Sequence, residues 1–175
     1  EDAHRAAALI SDDLIEADRQ LDVVNGCAGA ILGLLRLYRD AGSADVLKRA
    51  VTCGERLLSQ PRVGSEGRRS WAVLGAGADP LAGMSHGAAG FAYALISLSA
   101  ATGREEFASA AMECIAYEES KYDAGRANWP DFRYAAPQWR SQWCHGAVGI
   151  GLARLAMTRA ASPFMEKRAL DISGA

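Results

Sequence analysis

The 175-residue chain lacks several features, and each absence narrows its function. It has no excess charge: 19 basic side chains face 21 acidic ones, a net −2, which gives no electrostatic case for a nucleic-acid or acidic-membrane partner. No apolar run reaches the ~18–20 residues of a membrane span, and no charged-then-apolar segment opens the chain as a signal would. The four cysteines (Cys27, Cys53, Cys114 and Cys144) are far apart and form no CxxC pair, which argues against a disulfide framework and for a reduced, cytoplasmic setting. β-Formers are scarce, with Val, Ile and Thr together numbering 17. Alanine, by contrast, accounts for 35 residues, so the expected class is all-α.

One pattern recurs three times. Asn25-Gly-Cys-Ala-Gly29, His86-Gly-Ala-Ala-Gly90 and His145-Gly-Ala-Val-Gly149 each run into an apolar helical stretch, and their first glycines lie 61 and 59 residues apart. That period suits a helical hairpin plus loops. Between the motifs, Val46, Leu47, Ala50, Val51, Gly54 and Leu58 follow helical spacing behind Ser43 as a cap, and Phe107, Ala111, Cys114 and Ile115 do so again. Gly42 and Gly103 read as stops. The glycine-opened helices are apolar nearly all round and predict an inner layer, with the amphipathic partners outside. The expected architecture is therefore α/α hairpins of a solenoid or toroid, with Asn25, His86 and His145 on one rim. Residues 60–85 and 120–143 read as long loops without pattern, carrying four of the five prolines and, in the second, Trp129, Trp139 and Trp143. Glu166-Lys-Arg-Ala-Leu-Asp-Ile-Ser173 reads as a further partner helix. Both ends look cut, so residues 1–175 are expected to be one partial domain.

The polar residues at the rim allow two readings each. Cys144, at the start of the third inner helix, is either a metal ligand or a buried thiol. His86 is an acid/base group or a satisfied cap. Asp22, four residues before Gly26, either pairs with His86 or is solvated. Arg140 either holds an anion or lies on the surface.

A resemblance adds to this. Leu21-Asp-Val-Val-Asn-Gly-Cys-Ala-Gly29, Ser85-His-Gly-Ala-Ala-Gly90 and Gln142-Trp-Cys-His-Gly-Ala-Val-Gly-Ile-Gly151, in that order, resemble the lanthionine synthetase C-like cyclases. Tyr117-Glu-Glu-Ser-Lys-Tyr-Asp123 and Asn128-Trp-Pro-Asp-Phe-Arg133 are similar to the cyclase domain of the class II bifunctional lanthipeptide synthetases. The resemblance implies a toroid of seven inner and seven outer helices, of which this chain would hold about three hairpins. It further implies one zinc ion, with Cys144 as its first ligand, His86 as the acid/base histidine, Asp22 as the aspartate beside it, and Arg140 as the arginine four residues ahead of the ligand. The implied substrate is a dehydrated precursor peptide, whose cysteine thiols add to dehydroalanine or dehydrobutyrine to make thioether rings. In the bifunctional relatives a dehydratase domain precedes the cyclase.

Two departures stand out. Val148 replaces a common proline, and His145 directly follows Cys144, although the position matches a motif in which that histidine is not a ligand. No second Cys-His pair follows, so the remaining ligands are expected outside this chain, which alone would be inactive. The alternatives are a helical-repeat peptide-binding module without chemistry, and a six-hairpin toroid glycosidase using Asp22 and Asp131 as its carboxylates.

Overall fold

The computed structural model describes residues 2–73, 79–134 and 136–173, with side chains to residue 160. Seven helices and one small hairpin follow in order among the described residues: α1 (Asp2–Ala8), α2 (Asp12–Ala17), α3 (Cys27–Ala41), α4 (Ala44–Ser59), β1 (Val63–Ser65), β2 (Arg68–Ser70), α5 (Ala88–Thr102), α6 (Glu105–Ser120) and α7 (Ala147–Ser173). The chain is all-α, with α3–α4 and α5–α6 packed as hairpins. Helix α5 lies between α3 and α7 and forms the middle of the inner row. Its apolar circumference explains that place: Ala88–Ala92, Ala94, Leu95 and Leu98 are all buried. The outer helices bury one face each, Val46, Ala50, Cys53, Gly54 and Leu57 on α4 and Phe107, Ala110, Ala111, Cys114 and Tyr117 on α6. Leu47, Val51, Leu58 and Ile115 of the expected faces pack at the border of this core.

Gly42 and Gly103 end α3 and α5 in the left-handed conformation, with φ of 67° and 72°. No glycine stands between Gly151 and Gly174. Helix α7 accordingly continues through Ser173, and the break expected before a separate partner helix at Glu166 is absent from the backbone. The side chains of that segment lie outside the described residues. Ser43 occupies the N-cap of α4 but makes no capping hydrogen bond through its side chain.

The 60–85 loop is more ordered than its sequence indicates. β1 and β2 pair antiparallel, Val63 opposite Ser70, around Gly67 at φ 71°. Three-residue strands are too short to show alternation; the hairpin is held by tertiary contacts instead. Arg69 donates two hydrogen bonds to Glu113 of α6 (2.6 and 2.9 Å), and the next aromatic, Trp71, is fully buried against Phe91 with ring centroids 5.1 Å apart.

The recurrent second glycine has a steric cause. Before each inner helix the chain folds back so tightly that a Cβ at Gly29, Gly90 or Gly149 would overlap the carbonyl oxygen of Val23, Met84 or Trp143, in each case the residue six positions earlier. Backbone atoms cannot yield as a flexible side chain would. Gly29→Ala is therefore expected to lower unfolding stability by about 1–3 kcal/mol in denaturant titration, the range for an overpacked site. Gly33→Ala, on the exposed side of the same helix with open space around it, should be neutral or raise stability by ~0.5–1 kcal/mol.

Candidate functional site

The fold-back loops bring the three motifs side by side. The Val23 N–H donates to the Ser85 carbonyl (3.1 Å), and Ser85 donates through both its N–H and its hydroxyl to the Cys144 carbonyl (3.2 Å each). Backbone hydrogen bonds thus run from the first motif through the second to the third, and place Asp22, His86 and Cys144 on one rim.

Asp22 and His86 meet directly. His86 Nδ1 lies 2.7 Å from Asp22 Oδ2. Since a carboxylate only accepts, Nδ1 carries the hydrogen and Nε2 is left for other partners. Asp22 is 1% exposed, and its second oxygen, Oδ1, accepts the N–H groups of Val24 and Asn25 (2.9 and 2.8 Å). The carboxylate is fixed by its own turn before it meets the histidine. His86 remains partly open, with 26% of its side chain exposed.

Cys144 is half-buried, whereas Cys27, Cys53 and Cys114 are buried in the core. Burial pushes the Cys114 thiol up to about 12, and a hydrogen-bonding contact with Cys53, followed by burial, pushes Cys27 far above the ordinary thiol range. These two are poor nucleophiles or ligands. The Cys144 thiol instead donates a weak hydrogen bond to Gln142 Oε1 at 3.6 Å. Among the described residues no group of three His, Cys, Asp or Glu side chains is placed to hold a metal ion. One thiol does not make a zinc site, so the described donors do not by themselves fit that ion.

Arg140 does not join the Asp22–His86 pair. It is exposed, with its guanidinium over the Tyr134 ring, 5.1 Å from the centroid. Asp131 is likewise not free for acid/base work. It is buried and accepts two hydrogen bonds from Arg133 (3.0 and 2.7 Å). Burial raises its pKa, but the Arg133 hydrogen bonds outweigh that and hold the carboxyl below its usual range. A glycosidase pair of Asp22 and Asp131 has no support in this geometry, because each carboxylate is committed to a basic partner.

Two supporting residues, Asn128 and Asp18, were not singled out from sequence, and a third, His145, was noted without a role. Asn128 Oδ1 accepts the N–H of Ala147 (2.8 Å) at the start of α7, and its amide donates to Ser141 (3.2 Å). Asp18 does the same for α3, accepting from Cys27 N–H at 2.8 Å. Both replace a side-chain cap that a glycine at the helix start cannot supply. His145 is buried and faces His86, their rings 5.9 Å apart. Burial, then the nearby Arg133, lowers its pKa and favours the neutral ring. An Asn-Trp-Pro-Asp string gives no hint of the distant N–H groups it serves; only the adjacency of Cys144 and His145 was visible.

No characterised protein and no solved structure matches the chain. The family model described as lanthionine synthetase C-like protein matches residues 1–172. That span takes in all three fold-back motifs, the Asp22–His86 pair and Cys144 within its half-buried loop. No described helix is long and apolar enough to cross a membrane. With that model matching residues 1–172, the chain belongs to the lanthionine synthetase C-like proteins.

Proposed function

We propose that this chain carries the proton-transfer half of a thioether-forming cyclase centre, acting on a dehydrated precursor peptide. The observation that carries the reading is the 2.7 Å contact between His86 Nδ1 and a buried Asp22, in a chain whose family is that of lanthionine synthetase-type cyclases. In the reaction a cysteine S–H gives up its proton, and the sulfur bonds to the β-carbon of dehydroalanine or dehydrobutyrine as the C=C π bond breaks. Charge develops on the neighbouring carbonyl as an enolate, and the α-carbon then takes a proton. A histidine within reach suits that transfer. Asp22 keeps Nδ1 as the donor to itself, so Nε2 is the atom that exchanges protons with the peptide.

Cys144 is assigned as one ligand of a zinc ion whose other ligands lie outside the described residues. Zinc, when bound, would hold the substrate thiol as the thiolate. The support is the half-burial of Cys144, its distinction from the three core cysteines, and its hydrogen-bonded connection to the His86 turn. Similarity to the cyclase domain of class II synthetases, with a dehydratase domain ahead of it, belongs to the same reading.

Zinc content measured beside cyclisation rate on a dehydrated peptide separates these roles in the intact protein. Cys144→Ala is expected to lose zinc affinity and ring formation together. His86→Asn should keep its zinc while cyclising ~10²–10⁴-fold more slowly, the usual worth of a positioned acid or base. Asp22→Asn should show a smaller loss of the same kind. A His86→Asn protein without metal would make the histidine a ligand, and one that cyclises at the parent rate would make it merely structural.

A second measurement concerns residues 1–175 alone. Titrated with zinc, the chain is expected to bind it weakly. Equimolar, tightly held zinc that is lost in both Cys144→Ala and His145→Ala would overturn the assignment of Cys144 as the sole ligand here.

A further inference from the structure

The loop leading into Cys144 is locally basic in a chain that is not. Residues 121–143 carry Lys121, Arg126, Arg133 and Arg140 against Asp123 and Asp131, while the whole chain has a net charge of −2. The acidic partners do little to neutralise its surface. Asp131 is 2% exposed and fully engaged by Arg133. Asp123 accepts the main-chain N–H of Arg126, and their side chains stand 3.9 Å apart. Arg140 has no carboxylate partner among the described residues.

Aromatic rings lie beside all three arginines of the loop, and Arg133, already held by Asp131, is 5.9 Å from the Tyr134 centroid. Arg140 lies over Tyr134 at 5.1 Å and Arg126 over Trp139 at 4.7 Å. A guanidinium over a ring can still offer its N–H groups to a ligand; the Arg126 Nε pairs loosely with Asp123 Oδ2 at 3.9 Å, and Arg140 has no such pair among the described residues. Tyr134 is 42% exposed and Trp143, the residue before Cys144, is 59% exposed. Arg140 and the exposed Trp143 thus stand four residues and one residue ahead of Cys144, the one cysteine outside the core.

We propose that this arginine-on-aromatic surface docks an acidic segment of the peptide substrate, with side-chain carboxylates on Arg140 and Arg126 and an apolar side chain on Trp143. The proposal rests on the peptide-cyclase reading above and adds a charge preference to it. A carboxylate can take two parallel hydrogen bonds from a guanidinium edge, and a stacked arginine loses little further freedom in making them. Phosphates would use the same donors, but a nucleic acid also needs a broad basic field, which a chain of net charge −2 does not offer.

Binding to unreactive peptides tests this apart from ring formation. Two synthetic peptides without cysteine or dehydroamino acids, identical except that one carries Glu where the other carries Gln, are titrated against the protein by calorimetry. The Glu peptide is expected to bind about 5–10-fold tighter at low salt, with the difference shrinking as salt is added. Arg140→Gln and Arg126→Gln should each reduce the preference, and the double variant should abolish it. Arg5→Gln, on the exposed face of α1, should leave it intact. Equal affinity for the two peptides, or a preference that survives in the double variant, would overturn the proposal. Tighter binding of a single-stranded oligonucleotide than of the Glu peptide would do so as well. A Glu preference in a protein that forms no thioether on a reactive peptide would uphold the docking surface and reject the cyclase reading.

Discussion

Two main-chain links, from Val23 to Ser85 and from Ser85 to Cys144, hold the rim together. Each joins a loop that precedes one inner helix to the loop that precedes the next. The second glycine of each motif lets its own loop fold back, and Gly83, whose Cβ would meet the Cys144 carbonyl oxygen at 2.6 Å, lets the second and third loops approach. They also fix what the side chains can do. Val23 follows Asp22, and Ser85 precedes His86, so the first link sets the carboxylate against the imidazole. The second link positions the carbonyl of Cys144 and leaves its thiol at the half-buried face of the same rim.

Helices and their inward faces were legible because they rest on local pattern. The run of small and apolar residues through α5 specifies burial over most of its circumference, with Tyr93, Ile96, Ser97 and Ala100 half-buried, and Gly42 and Gly103 mark helix ends by backbone conformation alone. The end of α7 was misread because a charged stretch at Glu166–Ser173 resembles a partner helix, yet no glycine interrupts the backbone before it. The hairpin at β1 and β2 was illegible for the opposite reason. Its order comes from Arg69 reaching Glu113 and Trp71 entering the core against Phe91, contacts 44 and 20 residues apart that no short window of sequence contains.

The candidate site divides along the same line. Spacing left Asp22 either paired or solvated and only the family resemblance set it beside His86; the two are in contact at 2.7 Å. Arg140 makes no hydrogen bond or ion pair with them among the described residues; its guanidinium lies over Tyr134, and its charge acts on His145. Asn128, Asp18 and His145 were not assigned, since each works through groups brought close only by folding. Cys144 was visible as a thiol beside a glycine-opened helix, and its separation from three core cysteines follows from which helix faces they occupy.

The central claim is that Asp22 holds the hydrogen of His86 on Nδ1 and leaves Nε2 for the peptide. Nitrogen NMR of the neutral His86 imidazole tests it most directly. The account predicts the Nδ1–H tautomer, with the shift of a nitrogen donating to a carboxylate, and its loss in Asp22→Asn. An Nε2–H tautomer in the parent protein, or a spectrum unchanged by Asp22→Asn, would contradict it.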